Sequence, residues 1–137
     1  MRRVFVDTSG FGALFIPEDA DHERVSKVFQ ELNVPRVRLL TTNAVVFETY
    51  VLILHRSRRG RTNAFKFLDV MEQNVLRVVR LSAADERAAS ALVRAHADKA
   101  YSLCDAASFT VMNRFRVREA IALDEDFRSY GEFEILP

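Results

Sequence analysis

Hydrophobic and polar positions follow two different periods along this chain, and the switches between them mark its elements. Val4-Phe5-Val6 is a short, continuous apolar run of β-branched and aromatic residues, which predicts a strand buried on both faces, as in a parallel sheet. It runs into Asp7-Thr8-Ser9 and then a second apolar run, Phe11 to Ile16, predicting a helix with Thr8 or Ser9 near its start. Pro17-Glu18-Asp19-Ala20-Asp21 is a break. From Asp21 to Leu32, the positions Val25, Val28, Phe29 and Leu32 recur at spacings of three and four, an amphipathic helix ended by Asn33 and Pro35. Val37 to Thr41 predicts the second strand, and Thr42 or Asn43 caps a helix from Ala44 to Arg56. A polar turn, Ser57-Arg58-Arg59-Gly60-Arg61, precedes a helix from Thr62 through Glu72, with Phe65, Leu68 and Met71 on one face.

Val75 to Leu81 predicts the third strand. Ser82-Ala83-Ala84-Asp85 has the form of a capping box opening a helix to about Ala97, and Ser102 to Arg114 predicts another. Glu119 to Leu123 predicts the fourth strand, Asp124 to Tyr130 a short turn, and Phe133 to Leu136 an edge strand. Strands alternating with helices of this length specify an α/β fold of three layers. Its central sheet is mostly parallel, has four to five strands, and is flanked by helices.

Composition narrows this picture only a little. The 137 residues fit one domain, and 49% hydrophobic with 28% charged residues is ordinary for a globular chain. No apolar run approaches the roughly 20 residues of a membrane span, and the N-terminal run is cut at Asp7, too short for a signal peptide; a cytoplasmic protein is expected. The single cysteine, Cys104, beside Ala106 and Ala107, reads as a small core residue and excludes an internal disulfide. Net charge is +1, yet of 20 basic residues 17 are arginine. Arg56, Arg58, Arg59 and Arg61 form one cluster and Arg114, Arg116 and Arg118 another, and arginine forks suit phosphate. A solvated helix end explains such clusters equally well.

The candidate chemistry lies in four acids. Asp7 and Asp124 each follow a predicted buried strand, where open α/β sheets place their ligand crevice. Glu48 falls on the stripe Thr41, Ala44, Val45, Glu48, Val51, Leu52, His55, and Asp105 on the stripe Tyr101, Ser102, Asp105, Ser108, Phe109, Met112. Each has a structural explanation: Asp7 and Asp124 as helix caps, Asp105 in the capping box Ser102-Leu103-Cys104-Asp105, Glu48 as a side chain reaching out from the stripe's edge. Jointly they are harder to explain that way, because acids from separate elements can meet only at one edge of the sheet. Unit charges about 4 Å apart repel by roughly 4 kcal/mol at an effective dielectric of 20, a cost that a divalent cation removes. All-oxygen ligands without a His or Cys constellation point to Mg²⁺ or Mn²⁺ rather than zinc, since His22, His55 and His96 are scattered. Such a site is the usual equipment for attacking a phosphodiester with water.

With these residues in order, the chain resembles the PIN-domain proteins, and in particular the VapC-type ribonuclease toxins of toxin–antitoxin pairs. The resemblance rests on Val4-Phe5-Val6-Asp7-Thr8-Ser9, Glu48, Ser102-Leu103-Cys104-Asp105-Ala106 and Asp124-Glu125-Asp126-Phe127. It implies a single nuclease domain over residues 1–137, acting as a Mg²⁺- or Mn²⁺-dependent endoribonuclease that dimerises and is silenced by a cognate antitoxin. It further implies Asp7, Glu48, Asp105 and Asp124 as the acidic quartet. Asp7, Asp105 and Asp124 would hold metal with Asp126 as an auxiliary ligand, and Glu48 would orient a water. Thr8 or Ser9 would orient Asp7 or a substrate phosphate, leaving the Asp7 carboxylate free of capping, and Arg56, Arg58, Arg59 and Arg61 would guide the RNA backbone. Many relatives carry Thr or Ser two residues before the last acid, where this chain has Ala122. Two further readings compete: a catalytically weak or silent domain that works by binding a partner, and a housekeeping RNA-processing nuclease. A phosphoacceptor module fails, because Val6 precedes Asp7 and no lysine follows Lys99; a dehalogenase-type phosphatase fails because Ser9 stands where a second Asp is needed.

Overall fold

The computed structural model describes all of residues 1–137, as five strands and seven helices. In chain order these are β1 (Arg2–Val6), α1 (Thr8–Phe15), α2 (His22–Leu32), β2 (Val37–Thr42), α3 (Asn43–Arg56), α4 (Gly60–Glu72), β3 (Arg77–Val79), α5 (Ala83–Ala95), α6 (Leu103–Phe115), β4 (Glu119–Ile121), α7 (Glu125–Tyr130) and β5 (Glu134–Leu136). The sheet runs β3-β2-β1-β4-β5, and every pairing is parallel. β1 is its centre, and Val4, Phe5 and Val6 are fully buried, as a continuous apolar run demands. With β2 and β3 to one side and β4 and β5 to the other, the chain reverses its winding direction at β1, a topological switch point.

Several elements depart from the sequence expectation. β3 and β4 are three residues each, shorter than Val75–Leu81 and Glu119–Leu123, and the sheet is wholly parallel rather than mostly so. Residues after Asp124 form a helix, α7, where a turn is expected; it caps on Asp124 and buries Phe127 against Phe5 and Phe109. α4 starts at Gly60, before Thr62, and its core face carries Ala64, Phe67 and Met71, while Phe65 is 49% exposed. Thr42, not Asn43, caps α3, its hydroxyl accepting from the Val45 N–H. The capping box at Ser82–Asp85 is present as expected.

Two close contacts fix the geometry around β1. The Thr41 hydroxyl donates at 2.8 Å to the Val6 carbonyl, tying β2 to the last residue of β1 in the core. Gly10 lets α1 lie against β4: a Cβ there would stand 2.7 Å from the Ile121 carbonyl oxygen, closer than a side chain tolerates.

Candidate active site

Asp7 is the first residue beyond β1, and its backbone N–H donates to the Ile121 carbonyl at 3.1 Å. The side chain is only 2% exposed. Contrary to expectation, Asp7 itself is the N-cap of α1: one carboxylate oxygen accepts from the Ser9 N–H at 3.3 Å and from the Ser9 hydroxyl at 2.8 Å. A carboxylate has two oxygens with about four acceptor sites, so capping uses part of it and leaves the rest facing the crevice. Ser9 in turn accepts from the Leu123 N–H at 2.9 Å, so one hydroxyl links Asp7 to the loop carrying Asp124. Ala122 lies wholly buried in that loop; the hydroxyl that reaches it comes from Ser9. The Thr8 hydroxyl is buried with no partner.

Asp105 is 6% exposed at the third position of α6, and the capping box with Ser102 is complete. Its carboxylate accepts from the Ser102 N–H at 3.2 Å, while the Ser102 hydroxyl accepts from the Asp105 N–H at 3.0 Å. Asp124 is half-buried and caps α7 by accepting from the Asp126 N–H at 3.0 Å. Oxygens of Asp105, Asp124 and Asp126 lie within 4.8 Å of one another, close enough to share one cation.

The electrostatics follow from crowding acids in a dry place. Burial pushes the Asp7 carboxyl up to about 6; the Ser9 hydrogen bonds pull the other way, and the neighbouring Asp124 charge adds to the rise. Burial likewise raises Asp105 to about 7, opposed by the bond from Ser102 and reinforced by Asp7, Asp124 and Asp126. Cys104 is half-buried beside these acids, and burial together with the charges of Glu48, Asp7 and Asp105 raises its thiol, which makes it an unreactive neighbour rather than a nucleophile.

A cleft of about 340 Å³ opens over this floor, lined by Asp7, Thr8, Ser9, Glu48, Arg56 and Asp124 among others. Glu48 does not interrupt the core stripe of α3, whose buried positions are Val45, Thr49 and Ile53; it is exposed at the cleft rim. Arg56 lines the cleft without an ion-pair partner, while Arg58, Arg59 and Arg61 lie outside the lining. The Arg58 backbone N–H is engaged by the Glu18 carboxylate. The cleft has two further acids that sequence reasoning passed over as a chain break, Asp19 and Asp21. Asp19 accepts from the Asp21 N–H at 2.8 Å and Asp21 pairs with Arg24 at 2.8 Å, so the only signal for them is two acids one residue apart before a helix.

The hard oxygen donors of Asp105, Asp124 and Asp126 fit a divalent cation.

Comparison with known proteins agrees with this architecture. The PIN domain family model matches residues 4–132. VapC20, a 23S rRNA-specific endonuclease of Mycobacterium tuberculosis, is 35% identical over 135 residues, covering 98% of each chain. The crystal structure of the M. tuberculosis VapC20, described as a sarcin-ricin loop cleaving toxin, superposes with a TM-score of 0.88 at 31% identity over 98% of this chain and 99% of that one. VapBC2 of Rickettsia felis (TM-score 0.71, 10% identity, 97% of this chain and 96% of that one) shares the fold. So does FitAcB of Neisseria gonorrhoeae (TM-score 0.68, 14% identity, 98% and 96%). A switch-point crevice floored by acids, in a chain matched end to end by these relatives, has one assignment: the chain belongs to the PIN-domain family, among the relatives of VapC.

Proposed function

We propose that this chain is an endoribonuclease toxin, one PIN domain over residues 1–137, that hydrolyses RNA with a divalent cation and is silenced by a cognate antitoxin protein. The observation that carries the reading is the cluster of Asp105, Asp124 and Asp126 oxygens within 4.8 Å, beside a buried Asp7 and under a cleft edged by Glu48. Its RNA specificity is supported by similarity to VapC20, which acts on 23S rRNA.

Asp7, Asp105, Asp124 and Asp126 would hold Mg²⁺ or Mn²⁺. The ion supplies Lewis-acid stabilisation of charge developing on the phosphodiester. The protein's own residues do the rest. Ser9 fixes the Asp7 rotamer and Ser102 fixes that of Asp105, so neither carboxylate has to reorganise. Glu48, at the rim and solvated, is suited to orient the attacking water and accept its proton. Arg56, unpaired in the same cleft, offers its guanidinium to the substrate phosphate. In the bare site Asp105, raised to about 7, keeps part of its proton near neutrality, while Asp7, raised to about 6, has lost most of its own; both carboxylates would be needed ionised to hold a cation.

Phe47 (74% exposed) and Val51 (53% exposed) stand on the outer face of α3, beside the Glu48 rim. An apolar pair there favours a second copy of this chain as the covering partner, giving a homodimer. No helix is long and apolar enough to cross a membrane. RNA cleavage by purified protein with Mg²⁺ or Mn²⁺, compared with Asp7→Asn and Asp105→Asn, tests the proposal. Equal cleavage by all three proteins overturns it.

A further inference from the structure

The opposite end of the sheet carries an arrangement that the hydrolytic site does not use. Arg3 of β1 and Arg38 of β2 are register partners, and Arg77 of β3 sits across from Leu40, two residues along from Arg38. Register partners share a face and residues alternate along each strand, so Arg3, Arg38 and Arg77 project from the same side of the sheet. Neighbouring strands are about 4.8 Å apart, so the Arg3 and Arg38 stems lie side by side, with Arg77 on the next strand and offset by two residues. Like charges directly opposite one another destabilise a sheet, so such a row invites an anion.

Nothing in the chain supplies one. All three arginines are exposed and none forms an ion pair, whereas Arg2, Arg24 and Arg114 each meet a carboxylate. Arg3, Arg38 and Arg77, together with Arg80, line one depression of about 1520 Å³ whose 24 lining residues include no Asp or Glu. The Arg77 guanidinium is held 4.9 Å from the Phe115 ring centre, and Arg114 stacks on the same ring at 4.6 Å, which pre-orders part of the row. Fifteen of the 24 lining residues are hydrophobic, many of them from α1, α2 and α4, and Val37, Leu39 and Val78 occupy the alternate strand positions, across the sheet from the arginines. An occupant of the arginine side meets three exposed guanidiniums, one of them held over the Phe115 ring, and no carboxylate. Unpaired guanidiniums with no acid among them suit a phosphate backbone.

We propose that Arg3, Arg38 and Arg77 form a second RNA-binding surface at the amino end of the sheet, engaging phosphates of a folded substrate whose cleavable segment lies in the acidic cleft. It rests on the ribonuclease reading above. Asp7 follows the end of β1, four residues after Arg3 and about 13 Å along the strand direction, so a folded RNA can reach both regions while a short oligonucleotide in the cleft need not. The surface supplies affinity for structured substrate without touching the reacting bond.

The test is the full-length protein with Arg3→Gln, Arg38→Gln and Arg77→Gln together, against a stem–loop RNA that the wild type cleaves and a short oligonucleotide of its loop. The salt dependence of stem–loop binding, measured in an Asp7→Asn background, is expected to lose about 2 to 3 units of slope, one phosphate contact per arginine. Cleavage of the short oligonucleotide is expected to keep its wild-type kcat. An unchanged slope overturns the proposal. So does a variant that keeps its RNA affinity but loses association with the antitoxin, since the surface then belongs to an acidic protein. A wild type that neither binds nor cleaves RNA overturns the ribonuclease reading itself, whatever the variant does.

Discussion

At the carboxyl end of the sheet, Asp7 and Asp105 are buried, Asp124 is half-buried, and each is held by hydrogen bonds from a neighbouring backbone N–H. At the amino end, Arg3, Arg38 and Arg77 are exposed and unpaired, and only Arg77 is braced, by a ring. The difference is one of solvation. A buried carboxylate must be oriented and neutralised, so the fold spends three helix N-termini on it; an exposed guanidinium keeps its water and needs only a register. On the functions proposed above, one end is a centre for chemistry with its partners fixed in advance, and the other a surface whose strength depends on salt.

The contrast can be broken most severely at the acids. Asp7→Asn or Asp105→Asn is expected to lower RNA cleavage about 1,000-fold, a loss of several kcal/mol of transition-state stabilisation, measured as kcat/KM with Mn²⁺ present. Retention of more than a tenth of wild-type activity would remove that residue from the site.

Next in size is the pH dependence of the metal-free protein. Asp7, with its folded pKa at about 6 against an ordinary 3.8, stays protonated in the native state while the unfolded chain has already lost the proton. Native protein therefore binds more protons between those values, and stability falls as pH rises through that window, by about 3 kcal/mol for Asp7 alone. Asp105, raised to about 7, extends the fall toward neutrality. Urea melts in EDTA from pH 4 to 7 read this directly; Asp7→Asn should flatten the curve, and saturating Mn²⁺ should restore stability at pH 7. A metal-free protein that gains stability from pH 4 to 7 would contradict the assignment.

Ser9→Ala removes the hydroxyl between Asp7 and Leu123 and is expected to weaken Mn²⁺ binding 10- to 100-fold, about the usual loss for a group supporting a metal ligand. Calorimetric titration measures it, and Ser9→Thr should recover most of the affinity. The smallest effect lies at the amino end. Arg38→Glu turns a like-charged cross-strand pair into an opposite one and is expected to raise stability by up to about 1 kcal/mol, seen as a higher urea midpoint that declines with added salt. If it destabilises instead, Arg3 and Arg38 are not the repelling pair their register implies.

Much of the site was legible in the sequence because the signals were local. A buried-strand run ending in Asp7, the Ser102–Asp105 capping box and the Asp124–Asp126 turn each combine an element boundary with an acid, and the structure keeps all three boundaries within a few residues. Cap and site are not rivals: Asp105 and Asp124 hydrogen-bond as caps while their oxygens lie within 4.8 Å of one another and of Asp126, and Asp7 caps α1 in the same cleft. Glu48 lies off the buried face of α3: the apolar run Ala44 to Phe47 leaves the helix phase ambiguous in the sequence, and packing turns Val45, Thr49 and Ile53 inward. Of the four clustered arginines, Arg56 alone lines the cleft: it is the last residue of α3, whereas Arg58 and Arg59 lie between the helices and Arg61 in α4.

By itself, the sequence determined the order of strands and helices, the centrality of β1 and the acids at element ends, all set by periodicity and capping within a few residues. Only the tertiary structure decided what depends on parallel pairing between distant segments. It joined Ser9 to Leu123 across 114 positions, brought Asp19 and Asp21 to the cleft, and set Arg3 beside Arg38 with Arg77 on the same face. Strand register is a property of the whole sheet, so no local pattern of residues could announce that row.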